Sequence, residues 1–374
     1  MNKERYFKTK LKDHYLRIGW IIGDQLNKNT IWYRINYLVG GIALARFFWL
    51  AQWINKNSLY PLQYEIYRPW KHYDGILCLK AMGEKVIKLV LNYKKAKRPV
   101  LFDANVNYYQ REGHEYYFGM LPSEQQQKDA IKITKTVNGV IADSEFIKKQ
   151  CLQYNSNVCW IPDAIALDYV PPFRPWNYTG GKIPLLWSGE AIKLFELLAI
   201  EDVLLKYSKF IELILITNDL SYINRWLPGY KEKFQKLISI INCKIISYNN
   251  ILNLFQVYAN GGVAISPRFL DNSYNFGHTE WKITLAMACG RLVICSPVPS
   301  YVKVWERSGG KGIRICCNNE EWEKAIDEIL SGSVDWNDEG KAARNIVEKY
   351  YAVSEVGKTH ASYLLSFFPE VIKS

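Results

Sequence analysis

The stretch "HTEWKITLAMACGRLVICSPVPSY", residues 278–301, sets His278, Glu280, Lys282 and Thr284 at the front of a short apolar helix that stops at Gly290 and runs into a strand. Thr279 is a natural cap for this helix, whose buried stripe would be Trp281, Leu285, Ala288 and Cys289. A helix N-terminus carries free N–H groups and a partial positive charge. Lys282 adds a full charge one turn in, and the combination suits a diphosphate. The strand "RLVIC" then ends in "SPVPSY", a rigid loop at its carboxyl end. An ordinary strand–helix–strand unit with a solvated lysine would explain the same residues taken alone.

The elements that must hold these residues are legible from hydrophobic runs. "YLRIGWII" (15–22), "GILCLK" (75–80), "RPVLFD" (98–103), "GVIAD" (139–143) and "NVCWI" (157–161) read as strands, with helical patterns between them. Unbroken apolar strands alternating with helices mean a parallel sheet covered on both faces. The alternation pauses at 162–184, where five prolines and two adjacent glycines mark a linker. It resumes with "LLWSG" (185–189), "FIELILIT" (210–217), "CKIISY" (243–248), "GVAISP" (262–267), "RLVICS" (291–296) and "GIRICC" (312–317). The expected class is α/β, with an N-terminal domain over 1–165, a linker over 166–184 and a second domain over 185–350. In open sheets of this kind ligands bind beyond the carboxyl ends of the strands, so two such domains facing across a cleft place functional residues on the loops after strands.

At 374 residues the chain has room for two cores, and 49% hydrophobic against 22% charged residues is a globular balance. The net charge of +12 points to an anionic partner, such as a phosphorylated substrate or an acidic membrane surface. The basic residues are scattered and not striped, which argues against nucleic acid. The eight cysteines include no CxxC pair and mostly sit in apolar runs, so they read as small buried hydrophobes of a reducing compartment. The N-terminal twenty residues have no apolar core of signal-peptide length. Residues 31–54 are greasy but interrupted by Arg34 and Arg46, which disfavours a span. One or two buried or surface-lying helices are expected there; in the membrane-surface arrangement, which the residues favour, Arg46 and Lys56 snorkel while Phe47, Phe48, Trp49 and Trp53 dip into lipid. The expected location is cytoplasmic, including the inner face of a membrane.

The ordered set of motifs resembles the GT-B glycosyltransferases, the superfamily that includes glycogen synthase and many bacterial polysaccharide glycosyltransferases. "AMACG" matches the family's helix end, and "PSY" falls where the family has a small-residue loop beside the donor sugar. "GVIADSEFIKKQCLQYNSNVCWIPDAI" is similar to its last N-domain unit, and "IPLLWSGE" to the first strand and glycine turn of its C-terminal domain. The resemblance, which runs from about Val100 onward, implies a nucleotide-sugar donor bound by Ser188, Gly189, Lys193, Ser247, Tyr248, Glu280, Lys282 and Thr284. Lys193 would be a basic phosphate ligand, and Ser247 and Tyr248 base contacts. It also implies that a C-terminal helix over 351–374 returns to the N-terminal domain. The family often carries two glutamates eight positions apart, one of which holds the donor ribose. Those positions are assigned to Phe276 and Thr284 here, with Glu280 as a substitute one turn earlier, and Leu292 replaces the proline that usually follows the glycine.

The expected activity is transfer of a sugar to a saccharide or lipid-linked acceptor hydroxyl, of hexosyltransferase type, with no cofactor and no metal. No DxD occurs to hold a cation, and neither GxSxG nor a GxGxxG after the first strand is present. Asp103, ending "VLFD", and His114, in the following loop, are the catalytic candidates in the acceptor-binding half, as base or as groups that orient the sugar. The alternatives are a GT-B-shaped binding or scaffolding subunit without turnover, and a nucleotide-sugar epimerase on the same fold.

Overall fold

The computed structural model describes residues 15–26, 41–57, 59–248 and 250–372. The N-terminal reading up to residue 14, and residues 31–40 of the greasy segment, lie outside the described residues. The chain forms two compact units, one of 1–110, 122–164 and 353–374, the other of 111–121 and 165–352. Two chain segments therefore depart from a simple two-part division: 111–121 joins the second unit and the C-terminal helix joins the first.

Unit 1 is built on a parallel six-stranded sheet in the order β2-β1-β3-β4-β5-β6. The strands are β1 (Leu16–Ile22), β2 (Leu62–Ile66), β3 (Gly75–Leu79), β4 (Val100–Ala104), β5 (Gly139–Ala142) and β6 (Val158–Trp160). β3, β4 and β5 are buried at every position, as expected for a sheet covered on both faces. β2, "LQYEI", is a strand that hydropathy alone does not disclose. It is an edge strand whose Gln63 is exposed and whose Glu65 pairs with Arg17 and Lys71.

Residues 41–56 are helical with a π-turn over Leu44–Phe48, and they lie in the core instead of on a lipid surface. Arg46 is 1% exposed, and Phe47 and Trp49 are buried with it. This overturns the snorkelling arrangement: the guanidinium is held by internal carboxylates, and the apolar side chains pack against β1 and its neighbours. No described helix is long and apolar enough to cross a membrane. Helix Val353–Leu365 packs on helix Trp49–Lys56, with Trp53 lying against Gly357. Its His360 stacks on Trp20 at 5.6 Å and bonds the Tyr64 hydroxyl through Nδ1 at 2.8 Å. Tyr363 donates to the carbonyls of Val140 and Asn157, and Phe367 covers Gly139.

Unit 2 repeats the design in the order β12-β11-β10-β7-β8-β9, all parallel. Its strands are β7 (Ile183–Ser188), β8 (Ile211–Thr217), β9 (Cys243–Ser247), β10 (Val263–Ser266), β11 (Val293–Cys295) and β12 (Ile313–Ile315). The proline-rich segment 166–184 is fastened to this unit: Phe173 packs on Gly290, Trp176 on Gly261, and Arg291 donates to the Arg174 carbonyl at 2.6 Å. Helix Trp281–Ala288 has no single buried stripe, since Ile283 through Ala288 are all buried. A helix apolar all round is packed on every side.

Candidate functional site

Three strand ends of unit 2 converge. β7 ends at Ser188, whose Oγ accepts from the Tyr258 hydroxyl at 2.7 Å. Gly189 follows with φ +155°, where a Cβ would lie 3.0 Å from the Trp187 ring. That backbone state favours glycine, and the close approach leaves a Cβ room only if the Trp187 ring shifts. The turn leads into a 3-10 helix, Ala191–Ile200, which carries Lys193 and Glu196. β10 ends at Ser266, and Pro267 then delivers Arg268. The Arg268 N–H is held by Ser296 Oγ at 2.9 Å, on the loop after β11. From that loop's helix Tyr301 meets Ser266 Oγ at 3.0 Å.

These elements bury a charged cluster. Arg268 is 4% exposed and forms an ion pair with Glu196, which is 0% exposed. Its Nη2 also points to the Tyr301 hydroxyl at 3.4 Å. Lys282, on helix Trp281–Ala288, directs its Nζ over the Trp187 ring, 4.0 Å from the centroid. Lys193 Nζ lies 5.5 Å from the centre of the Tyr274 ring. Lys282 Nζ, Arg268 Nε, Glu196 Oε2 and Trp187 Nε1 are all sealed from solvent and have no hydrogen-bond partner. Burial holds the Lys282 ammonium well below its ordinary range, Arg268 and Lys193 push it further down, and Glu196 only partly opposes them. These three cations against the one carboxylate buried among them leave the cluster positive. Buried polar atoms left unpaired are costly, and an anion is the group that would satisfy the Lys282 and Arg268 donors, though not the Glu196 oxygen, which accepts.

Of the residues singled out from sequence, Ser188, Gly189, Lys193 and Lys282 belong to this neighbourhood. Thr284 does not open onto it: the side chain is fully buried and its hydroxyl donates to the Trp281 carbonyl at 3.1 Å. It also stands two positions before Ala286, so the residue directly ahead of "AMACG" is Leu285, a buried apolar side chain. Glu280 is 1% exposed and forms the N-cap position, and Thr279 Oγ1 takes the Trp281 N–H at 3.4 Å. Ser247 is exposed at the end of β9, and Tyr248 is half-buried with its N–H on the Thr217 carbonyl at 2.7 Å.

The two catalytic candidates belong to different units. Asp103 lies in unit 1 near the end of β4, completely buried. Both of its oxygens accept from Arg46, at 3.0 and 2.9 Å, and Arg46 also donates to the Ile161 carbonyl and to Asp163. Burial pushes the Asp103 carboxyl up to about 6, against the pull of Arg46. His114 lies in unit 2, not in the N-terminal half where the sequence order puts it. It is exposed, with Nε2 2.9 Å from the Tyr230 hydroxyl. Sequence reasoning does not single out Glu196, Arg268, Trp187 or Tyr301. The available signal for Arg268 is its place in "AISPRF", a cation immediately past the end of an apolar strand.

No family model matches the chain, and no curated relative does. Solved structures do. Sucrose-phosphate synthase from Thermosynechococcus elongatus is 15% identical with a TM-score of 0.59, over 80% of this chain and 74% of that one. HepE from Anabaena, solved with UDP and glucose, is 12% identical with a TM-score of 0.63, over 94% of this chain and 100% of that one. A glycosyltransferase from Rickettsia africae is 14% identical with a TM-score of 0.61, over 95% of this chain and 99% of that one. With two parallel-sheet α/β units matched over nearly the full chain, the protein has the GT-B fold of these glycosyltransferases.

Proposed function

We propose that this protein is a glycosyltransferase that uses a nucleotide-sugar donor. The observation that carries the reading is the cluster of Arg268, Lys282 and Lys193, cations in excess of the one carboxylate buried among them at the strand ends of unit 2. A diphosphate would satisfy the orphaned donors and return a full charge to Lys282. In the reaction an acceptor hydroxyl oxygen forms a bond to the anomeric carbon, the bond from that carbon to the diphosphate oxygen breaks, and the hydroxyl proton passes to a base. The largest demand is charge on the departing diphosphate, which preorganised cations stabilise without reorganising. HepE, of like fold, is solved with UDP and with UDP-glucose, which favours a uridine diphosphate donor. We assign Asp103 to holding Arg46, since both its oxygens are engaged, and the acceptor to unit 1. The acceptor class we favour is a saccharide or lipid-linked hydroxyl in polysaccharide or glycolipid assembly, and the +12 charge supports an anionic membrane surface as a partner.

The test is a melting-temperature panel with UDP, GDP, dTDP and their sugars, followed by assay of diphosphate release with candidate acceptors. A ligand at one hundred times its dissociation constant adds about 2.7 kcal/mol, a shift easily read. Stabilisation by one nucleoside diphosphate, lost in Lys282→Met, is the expected result. No shift with any of them at millimolar concentration overturns the reading. A second reading, a donor-binding subunit without turnover, is motivated by Leu285, an apolar side chain directly ahead of "AMACG" where the family carries a glutamate, and by Thr284 beside it, whose hydroxyl turns back to the helix. Transfer or hydrolysis of a UDP-sugar by the pure protein eliminates it, and product formed without acceptor would indicate an epimerase.

A further inference from the structure

Residues 111–121, "REGHEYYFGML", leave unit 1 after Gln110, fold into unit 2 and return at Pro122. The arm is zipped between two loops of unit 2. On one side Gly113 pairs with Asn272, Glu112 exchanges backbone and hydroxyl bonds with Ser273, and the His114 N–H reaches the Asp271 carbonyl. On the other, Tyr117 pairs with Trp226, and the Leu227 N–H bonds the Tyr116 carbonyl at 3.0 Å. Tyr116 is the fastener. Its ring contacts Phe195 at 4.7 Å and Phe269 at 4.3 Å in a cluster of three aromatic rings, and its hydroxyl donates to Asp271 at 2.7 Å. Gly113 has φ +96°, and a Cβ there would collide with the Asp271 carbonyl and Asn272, so the seam admits only glycine.

So firm an attachment fixes the neighbouring residue, Tyr117. Its side chain is 6% exposed, and its hydroxyl faces the Tyr274 hydroxyl, with Lys193 and Glu196 close enough to act on it electrostatically. Tyr274 in turn carries the Lys193 ammonium against its ring. We propose that the arm 111–121 is a working wall of the donor site, and that Tyr117 is a positioning residue that orients Lys193 toward the donor's diphosphate through Tyr274. A lysine ammonium on a flexible stem is a poor phosphate ligand until something limits its rotamers. The phenol ring of Tyr274 does so here, and Tyr117 fixes the phenol. A residue distant in sequence from the rest of the cluster thereby sets how strongly the leaving group is held.

This inference rests on the diphosphate reading above, and the experiment separates the two. Inorganic pyrophosphate binding is measured by calorimetry on the full chain for the parent, Tyr117→Phe, Lys193→Met and the double variant, with thermal melts confirming that each is folded. Tyr117→Phe is expected to weaken pyrophosphate binding about three- to ten-fold, and the double variant to bind as Lys193→Met does. Residues that act through one another are non-additive, whereas a general loosening of the fold would multiply the two effects. Parent-like binding by Tyr117→Phe, or multiplicative losses, overturns the inference and leaves the diphosphate site standing. No pyrophosphate binding by the parent overturns both.

Discussion

The Lys282 ammonium stands 4.0 Å from the centre of the Trp187 ring, sealed from solvent, with no hydrogen bond. An aromatic face attracts a desolvated cation by about 2 kcal/mol, which falls short of the cost of burying an unpaired ammonium. The arrangement is therefore destabilising unless an anion pairs with the ammonium, as the proposed diphosphate would.

Lys282→Met tests both halves of that statement. Charge-assisted hydrogen bonds contribute roughly 1.5 to 3 kcal/mol, so nucleoside diphosphate binding should weaken about ten- to one-hundred-fold. The empty protein should melt higher than the parent. The sign of the pH dependence follows from the lowered lysine: the unfolded chain holds a proton that the folded chain releases, so the parent loses stability as pH falls below 10.5 toward the folded value. The advantage of Lys282→Met should accordingly be larger at about pH 7 than at about pH 10. Melts of the two proteins at both pH values check it, and an equal margin at both would contradict the burial argument.

Gly189→Ala should damage the same site from the backbone. The glycine sits at φ +155°, and a methyl group would press the Trp187 ring from 3.0 Å. Strain of this kind costs about 1 to 3 kcal/mol. The ring that carries Lys282 would have to move, so diphosphate affinity should fall along with the melting temperature. Alanine at Ser188, one residue earlier, should leave the backbone unstrained and cost only its bond with Tyr258. Comparing the two variants by melting and by UDP titration separates strain from a lost hydrogen bond.

How much of this is legible in the sequence depends on what holds each part. The strands are readable because β3, β4, β5 and β7 are nearly continuous apolar runs, and burial on both faces leaves few other ways to write them. β2 is not, since an edge strand needs only Leu62 and Tyr64 inside and keeps Gln63 outside. Lys282 stands out as a cation near a helix start, but its real setting is the Trp187 ring, a contact between distant positions that no local pattern encodes. Arg268 and Glu196 escape notice for the same reason: each is an ordinary charged residue until strand order brings β10 beside β7. Arg46 misleads because an arginine in a greasy helix has two physical solutions, snorkelling or an internal carboxylate, and only the fold supplies Asp103.

Asp103→Asn puts a number on that buried pair. Arg46 would keep the Ile161 carbonyl and Asp163 but lose the charge of its main partner. Removing one member of a buried ion pair typically costs about 3 to 5 kcal/mol, because the other charge stays buried. Asp103→Asn with Arg46→Met should recover much of the loss, as the orphaned guanidinium is gone. Urea unfolding of both variants decides this. A small effect of Asp103→Asn on stability, with a large one on turnover at saturating substrate, would instead return Asp103 to a catalytic role.

His360 should give unit 1 a measurable sensitivity to acid. Burial, and secondarily Arg46, holds this imidazole down at about 3 from a usual 6.5. The ring is completely buried, stacked on Trp20 and bonded to the Tyr64 hydroxyl, so the folded protein keeps it neutral. The unfolded chain protonates it below pH 6.5, and the folded chain does not until about pH 3. Its stabilising contribution is thus intact above 6.5 and drains away as pH falls through that window, at about 1.4 kcal/mol per unit. Asp103 works in the opposite direction over part of the range. Its folded carboxyl is raised to about 6, so the folded state holds the extra proton between 3.8 and 6 and gains stability there as pH falls. The two slopes offset each other in the parent, and His360→Gln uncovers the second. Near neutral pH the variant should be the less stable protein, having lost the stacked imidazole. Between about pH 6.5 and about pH 4 the gap should narrow by roughly 3 kcal/mol, since only the parent must keep a histidine neutral. Urea unfolding at about pH 7, about 5.5 and about 4 follows the gap directly, and parallel stability curves for the two proteins would mean that His360 is protonated in the fold after all.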